Sequence, residues 1–211
     1  SSRASRHRPI RTLNFQGPGG FAASRAFLFS GVRAAHGAVV SRRHEMTELL
    51  PLFLDLAGRR VLLVGGGPDA LPVVEFGAAL GWRVTVADHR PAYAEAVRFP
   101  RARRVLLSTP PELTQHLDLT RFDAAVVMSH HLATDLAALA TLAATSIPYV
   151  GLLGPATRRQ RLLSDLGAAT AAKFGTRLHA PVGLELGGRD PASIALAIVA
   201  AIGMPCASLT I

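Results

Sequence analysis

Beyond Gly58, the sequence alternates short runs of apolar residues with longer segments of helical periodicity. The apolar runs have the length and composition of buried β-strands and cover residues 59–65, 83–88, 103–108, 123–130 and 147–154. The predicted helices cover residues 68–81, 111–117, 132–144, 155–167 and 190–203. Strands that are apolar throughout belong to a parallel sheet with helices on both faces. The pattern therefore predicts a doubly wound α/β fold with a mainly parallel, Rossmann-like sheet.

The formal net charge of +9 is distributed unevenly along the 211 residues. Residues 1–45 contain eight arginines and one acidic residue, a net charge of +7, whereas residues 46–211 contain 15 basic and 13 acidic side chains. A nucleic-acid-binding fold is expected to carry a basic patch and aromatic rings for stacking on bases. Because the basic excess lies outside the predicted fold and aromatic residues are scarce, we expect no nucleic-acid partner.

We interpret residues 1–45 as a flexible basic leader outside the fold, and residues 46–211 as a single Rossmann-like domain. The leader is rich in Arg, Ser, Gly and Ala and has no sustained helical or strand period. Its composition loosely resembles an organelle transit peptide. We favour the alternative that Met46 is the natural first residue.

No stretch of the chain reaches the ~18 uncharged apolar residues that a membrane helix needs, so we expect no membrane partner. The single cysteine, Cys206, excludes an internal disulfide and a metal site built from several cysteines. We therefore expect a cytoplasmic protein without a bound metal.

The first predicted strand ends in a glycine-rich stretch, VLLVGGGPDA, at residues 61–70. Gly65, Gly67 and Ala70 fit the Gly-x-Gly-x-x-Gly/Ala pattern of dinucleotide-binding turns, and Gly66 lies between them. Glycines allow a backbone to approach a phosphate closely, and the N–H groups at the start of the following helix can bind it. The stretch predicts a nucleotide- or phosphate-binding turn. The alternative is that the glycines only permit a tight turn from strand to helix.

An acidic residue stands where the Rossmann interpretation requires one. Asp88 follows Gly67 by 21 residues and ends the second predicted strand, where an acid can accept hydrogen bonds from ribose hydroxyls. Arg90 follows closely, so a ligand with a 2′-phosphate is compatible with the sequence.

Polar residues follow the fourth predicted strand. Ser129, His130 and His131 lie in the loop, and Asp135 lies one turn into the next helix. His130 could act as a general acid/base or a metal ligand, with Asp135 orienting it. Two histidines and one carboxylate from one loop are too few to predict a metal site. Capping of the helix by the loop explains the same residues equally well.

A second polar loop follows the fifth predicted strand. Gly151 and Gly154 are expected to relax the turn there, and three arginines follow within two helical turns, at Arg158, Arg159 and Arg161. Helix N–H groups and guanidinium groups together bind anions well, which makes Arg158 and Arg159 candidate ligand contacts. A solvated basic helix face is the alternative.

Four motifs occur in order between residues 60 and 203. They are Asp-x-Arg-Pro-x-Tyr at Asp88–Tyr93, Ser-His…Asp at Ser129–Asp135, Gly-x-x-Gly-x-x-x-Arg-Arg at Gly151–Arg159, and His-Ala-Pro-x-Gly-Leu at His179–Leu184. Together with the glycine-rich stretch, these motifs resemble the C-terminal Rossmann domain of the XdhC/CoxI family.

The resemblance implies a function. Members of this family are accessory factors for xanthine dehydrogenase and related molybdenum hydroxylases, and are thought to bind the molybdenum cofactor (molybdopterin), protect it and deliver it to the apoenzyme. The resemblance thus implies a chaperone for cofactor insertion, with a molybdenum hydroxylase apoenzyme as partner, rather than an enzyme. It also implies a homodimer. Full-length members carry a further N-terminal domain with its own glycine-rich motif, which residues 1–59 do not contain, so a separate protein with that domain is a further expected partner.

A shorter resemblance supports an alternative function. Residues 50–67, LPLFLDLAGRRVLLVGGG, are similar to the start of the precorrin-2 dehydrogenase part of sirohaem synthases. This similarity implies an NAD(P)-dependent oxidoreductase, with NAD(P) as the cofactor in place of molybdopterin. A regulatory nucleotide sensor with neither activity is a third possibility.

Overall fold

The computed structural model describes residues 58–204. The predicted leader at residues 1–45 lies outside this range, so the division of the chain at residue 46 stays a prediction. Cys206 also lies outside it.

Six parallel strands form one sheet, in the order β3-β2-β1-β4-β5-β6. The strands are β1 (Arg60–Val64), β2 (Arg83–Asp88), β3 (Arg104–Leu107), β4 (Ala124–Val127), β5 (Tyr149–Leu152) and β6 (Leu178–His179). The chain runs outward from β1 to β3 and then returns to the other side of β1 with β4. Open parallel sheets bind ligands at such a reversal, beyond the carboxyl ends of the strands.

The helices connect these strands and cover both faces of the sheet. They are α1 (Ala70–Ala79), α2 (Leu113–His116), α3 (Leu132–Ala143), α4 (Ala156–Leu166), α5 (Ala168–Ala172) and α6 (Pro191–Gly203). Short 3-10 turns occupy Pro91–Tyr93, Ala96–Arg98, Pro110–Glu112, Leu119–Arg121 and Gly175–Arg177. Between residues 58 and 204, no helix has the length and apolar composition needed to cross a membrane.

The central strands contribute alternate side chains to two hydrophobic cores. Val61 and Leu63 of β1 pack on the side of α1 and α6, whereas Leu62 and Val64 pack on the side of α3 and α4. All four are buried. This two-sided burial explains why the strands read as uninterrupted apolar runs, and it confirms the doubly wound fold predicted from them.

The predicted strands and helices are all present, with ends that differ by three residues or fewer. Two short elements were not predicted, the edge strand β6 and the helix α5. β6 has only two residues, paired with Val150 and Gly151 of β5. Such a short element carries too few residues for a recognisable hydrophobic period.

Gly151 lies inside β5 and does not relax the turn after it, so our interpretation of this residue is wrong. A Cβ atom at position 151 would collide with Cγ2 of Val182. The glycine is therefore required by close packing under the segment that follows β6. Gly154 does lie in the turn, with a φ of 137° that favours glycine.

We expect Gly151→Ala to lower the free energy of unfolding by about 2 kcal/mol, because the branched Val182 side chain cannot move away from the new methyl group without strain. Val182→Ala removes the nearest methyl carbon. Urea unfolding of the two single variants and the double variant measures the effect. The double variant should lose less stability than the sum of the single losses, and strict additivity would contradict the steric explanation.

Candidate functional site

The ends of β1, β2 and β4 bring most of the predicted site residues to one edge of the sheet, here called the carboxyl edge. The glycine-rich turn follows β1, Asp88 ends β2, and Ser129 follows β4. Gly65, Asp88 and Ser129 line a crevice together with His89 and Ser108, and this crevice is too narrow to admit a water molecule. Parallel pairing of the three strands puts their ends side by side and so builds the site.

The three glycines of the turn have different surroundings. Gly65 has a φ of 127°, and a Cβ there would lie 2.5 Å from the backbone carbon of Met128. A Cβ on Gly66 would collide with the Tyr93 carbonyl oxygen, far closer than any real carbon allows. At Gly67 the nearest atom is a ring carbon of His130, 3.8 Å away. Gly65 and Gly66 are thus required by the protein's own backbone, whereas Gly67 leaves space on the outer side.

Asp88 is buried and fully engaged by its own chain. Its Oδ2 accepts hydrogen bonds from the backbone N–H of Gly66 and from Nη2 of Arg90, both at 2.8 Å. Its Oδ1 accepts from the backbone N–H and Nε of Arg90, both at 2.9 Å. Burial raises the pKa of this carboxyl group, but the hydrogen bonds from Arg90 and Gly66 outweigh burial and hold the pKa below its ordinary value.

Arg90 and Arg98 fix the segment after β2 over the glycine-rich turn. The Arg90 guanidinium lies 3.9 Å above the Tyr93 ring centre, and Arg98 lies over the same ring at 4.8 Å. Arg98 also donates to the carbonyl of Gly66 at 3.0 Å. The chain after β2 therefore holds the turn in position through both cation–π and hydrogen-bond contacts.

A second buried carboxylate organises the loop after β4. Asp135 has no exposed surface and accepts hydrogen bonds from the hydroxyl and backbone N–H of Ser129, at 2.5 and 3.2 Å. Its other oxygen forms an ion pair with Nη2 of Arg158, at 2.7 Å. This network joins the end of β4 to the helices α3 and α4.

The predicted pairing of His130 with Asp135 is wrong. Nε2 of His130 lies 2.8 Å from Oδ2 of Asp69, just before α1, whereas Asp135 is occupied by Ser129 and Arg158. His130 has a φ of 61°, a left-handed conformation uncommon for residues other than glycine. That conformation turns its half-exposed side chain away from α3 and towards the glycine-rich turn.

The three arginines of α4 have different roles in the structure. Arg158 crosses Gly154 and reaches Asp135, whereas Arg159 is exposed, and Arg161 lies 3.9 Å from Asp165 on the outer helix face. Of the predicted pair, Arg158 thus belongs to the site and Arg159 faces solvent.

The region from residue 61 to residue 202 matches the sequence model of the XdhC Rossmann domain. The chain belongs to the XdhC Rossmann domain family. The resemblance noted from its motifs is thereby confirmed, and the matched region contains every predicted site residue.

Three known proteins similar to this XdhC domain are longer than it. It is 37% identical, over 143 residues, to a protein of Bacillus subtilis strain 168 described as a probable xanthine dehydrogenase subunit, covering 68% of this chain and 42% of that protein. It is 28% identical to the uncharacterized protein YqeB from Escherichia coli K12, covering 83% of this chain and 32% of that protein. A crystal structure of a xanthine dehydrogenase from Bacillus halodurans superposes with a TM-score of 0.61 at 31% identity, over 68% of this chain and 42% of that one. The chain thus spans about two fifths of two of these relatives and a third of the other.

Sequence reasoning missed two contacts of this XdhC domain. Asp69 lies within the glycine-rich stretch, but nothing in its spacing indicated His130, which is 61 residues away, as its partner. Arg98 lies in a segment without helical or strand periodicity, so its contact with Gly66 had no sequence signal. Among residues 58–204, no cluster of three or more His, Cys, Asp and Glu side chains could hold a metal ion.

We expect Asp135→Ala to lower the free energy of unfolding by about 3 kcal/mol, because it leaves Arg158 without its carboxylate partner and Ser129 without its acceptor. Chemical denaturation measures the loss. Asp165→Ala, at an exposed position on α4, is the matched control and should change stability little. The double variant Asp135→Ala/Arg158→Leu should be more stable than Asp135→Ala, because no unpaired charge is left buried. If Arg158→Leu instead lowers the free energy of unfolding as much in Asp135→Ala as in the wild type, the two side chains are not energetically coupled.

We expect the free energy of unfolding of Asp88→Asn to fall less than that of the wild type when the pH is lowered. The pKa of Asp88 is lower in the folded chain than its ordinary value of 3.8, so acid protonates the unfolded chain first. Its stabilising contribution is complete above that ordinary value and is lost as the pH falls through the folded value. The variant should be less stable at neutral pH but lose less on acidification.

Urea unfolding from about pH 7 to pH 2 tests this expectation. Asp165→Asn removes the same charge at an exposed position and should keep the acid dependence of the wild type. Identical slopes for Asp88→Asn and the wild type would show that the Asp88 pKa is not shifted by folding.

Proposed function

We propose that this XdhC domain is an accessory protein for inserting the molybdenum cofactor into a xanthine dehydrogenase-type molybdenum hydroxylase. In this role it binds the phosphate-bearing end of a pterin or nucleotide ligand at the carboxyl edge. Family membership supports the proposal, as do the relatives described as xanthine dehydrogenase proteins. Those relatives are longer than this chain. The proposal therefore concerns only the function of the XdhC Rossmann domain and not that of the whole relatives.

The open position at Gly67 is the observation that carries the proposal. Gly67 is the one glycine of the turn whose missing side chain is not needed by the protein's own packing. It lies three residues before α1, a helix of ten residues whose amino end carries the positive pole of the helix dipole. In the first turn Pro72 has no N–H group and the N–H of Ala70 donates to the Gly67 carbonyl, so the attraction for an anion comes mainly from the dipole. The half-exposed His130 lies beside Gly67 and can contribute a further hydrogen bond to a phosphate oxygen.

The donors at this edge fit the anionic end of such a ligand. Nε of Arg158 is buried without a hydrogen-bond partner among residues 58–204, so a ligand could supply one. Nδ1 of His89 also has no hydrogen bond, although it lies 3.5 Å from Oδ1 of Asp88. The crevice between the strand ends is too narrow to admit a water molecule, so in this proposal the ligand lies outside it, over Gly67 and the start of α1. When bound, the cofactor supplies the molybdenum centre that the hydroxylase uses.

The remaining polar groups favour a holding role over turnover. Asp88 is saturated by Arg90 and Gly66, and Asp135 by Ser129 and Arg158. Neither carboxylate has an oxygen free to take a proton from a substrate without breaking an ion pair. The partners in this proposal are the hydroxylase apoenzyme, a protein carrying the XdhC N-terminal domain, and a second copy of this chain, in the cytoplasm.

An NAD(P)-dependent oxidoreductase is the second candidate function, and the strand order with an acid at the end of β2 favours it. A ribose would have to displace Arg90, because its two hydroxyls need the oxygens that Arg90 occupies. Displacing Arg90 from Asp88 would cost free energy when a dinucleotide binds. A ligand that contacts only Gly67 would not require this displacement.

Parallel titration of the protein with molybdenum cofactor, NAD⁺ and NADP⁺ tests the proposal, and we expect saturable binding of the molybdenum cofactor. Gly67→Ala should weaken this binding by about tenfold or more, because a methyl group occupies the space for the phosphate. It should leave thermal unfolding nearly unchanged, since the new atom meets only ordinary contacts.

Gly81→Ala is the matched control. Its φ of 77° makes the substitution strained, but it lies beyond the far end of α1. It should lower stability and leave affinity unchanged. Binding of NAD⁺ or NADP⁺ without binding of the molybdenum cofactor would contradict the accessory function and favour the oxidoreductase.

A further inference from the structure

A cavity of about 310 Å³ lies at the opposite edge of the sheet, where the strands begin, here called the amino edge. Five arginines line it, and together they are named the arginine pocket: Arg60, Arg83, Arg103, Arg104 and Arg121. Arg60 begins β1, Arg83 begins β2 and Arg104 begins β3, whereas Arg121 comes from the turn before β4. The parallel register pairs Arg60 with Arg83, and so brings residues distant in sequence around one hollow.

The arginine pocket contains more positive than negative side chains. None of the ion pairs formed among residues 58–204 involves any of its five arginines. Asp118 is the single acidic residue in the lining, and its carboxylate accepts hydrogen bonds from the backbone and hydroxyl of Thr120. Arg104 donates to the backbone carbonyl of His116, which is a neutral acceptor. The hydrogen bonds from Thr120 and the nearby charges of Arg121 and Arg60 lower the pKa of Asp118, so this carboxylate interacts electrostatically with two of the five arginines. Five guanidinium groups around one carboxylate leave the pocket with a net positive charge.

The shape of the pocket favours a compact ligand over a long chain. Its volume lies within the range of small-molecule sites, about 300–1,000 Å³. Nucleic-acid-binding surfaces are instead extended grooves with exposed aromatic rings for stacking, and the single benzene ring in this lining, Phe122, is half-buried.

The chemistry of the side chains favours phosphate groups. Arginine presents a planar set of donors that matches two oxygens of a phosphate at once, and the described lining contains no lysine. One phosphate can engage only part of five guanidinium groups. The buried Thr85, in β2 and paired with Arg104 of β3, adds a short polar side chain to the lining.

We propose that the arginine pocket binds a compact polyanion with two or more linked phosphate groups. This site is separate from the carboxyl edge, and it requires neither the molybdenum cofactor nor the accessory function. A free polyphosphate and the phosphate chain of a nucleotide share this chemistry.

Calorimetric titration of the full 211-residue chain with inorganic tripolyphosphate, ATP and inorganic phosphate tests the proposal. We expect saturable binding of tripolyphosphate or ATP that weakens with added salt, and much weaker binding of inorganic phosphate. Equal affinity for tripolyphosphate and ATP indicates that the phosphate chain alone is recognised, whereas tighter ATP binding indicates that the nucleoside contributes. Both results support the proposal.

The variant Arg83→Gln/Arg121→Gln removes two cations from the pocket at exposed positions. We expect it to weaken polyphosphate binding by about tenfold or more, because each lost contact is a charge-assisted hydrogen bond. The matched control, Arg161→Gln/Arg189→Gln, removes the same charge from exposed positions outside the lining and should keep the affinity of the wild type within about twofold.

Three results would overturn the proposal. The first is no saturable polyphosphate binding by the wild type at low salt. The second is an equal loss in both double variants, which would indicate attraction to the net charge and not to this pocket. The third is tighter binding of single-stranded RNA than of tripolyphosphate that the pocket variant abolishes, since this would make the surface a nucleic-acid site.

Hydrogen exchange measured on the wild type tests the proposal without a variant, so its result does not depend on whether a variant folds correctly. Tripolyphosphate should protect backbone amides around Arg83, Arg104 and residues 117–122. Protection confined to the glycine-rich turn at residues 65–70 would also overturn the proposal, because the ligand would then occupy the carboxyl edge.

Discussion

Burial of the parallel sheet on both faces is the constraint from which the functional geometry of this domain follows. The side chains of β1 and β4 are packed between two layers of helices, so the sheet can place charged groups only where its strands begin or end. An unpaired charge in either core would cost far more free energy than one side-chain packing contact returns. The strands consequently read as apolar runs bounded by polar residues, and the polar residues collect at two opposite edges.

The charged side chains at the two edges of the sheet differ in whether they form ion pairs. At the carboxyl edge, the carboxylates have partners: Asp88 has Arg90, Asp135 has Arg158, and Asp69 has His130. Paired charges hold the loops in place, and the ligand site that we propose there rests on the backbone turn at Gly67. At the amino edge the arginines of the pocket form no ion pair within residues 58–204. The polyanion site that we propose there would use these side chains directly. The two sites that we propose therefore suit different anions, a single phosphate group at the carboxyl edge and a dense polyanion at the amino edge.

The hydrophobic pattern predicted the fold because burial acts along the whole of each strand and helix. It predicted less of the site, because contacts such as Asp69 with His130 depend on the separation of two loops in space and on an uncommon backbone conformation at residue 130. The arginine pocket had no sequence signal at all. The net charge of residues 46–211 is small, and only the pairing of β1 with β2 brings Arg60 and Arg83 together.

The glycine-rich turn shows why a sequence fingerprint identifies a fold more securely than a ligand. Glycine is selected wherever a Cβ would collide, and the collision can be with a ligand or with the chain itself. Gly65 and Gly66 avoid Met128 and Tyr93, both of which belong to the protein, so two of the three glycines would be needed in a domain that bound nothing. The case for a ligand thus depends on Gly67, where the chain leaves room that its own packing does not use.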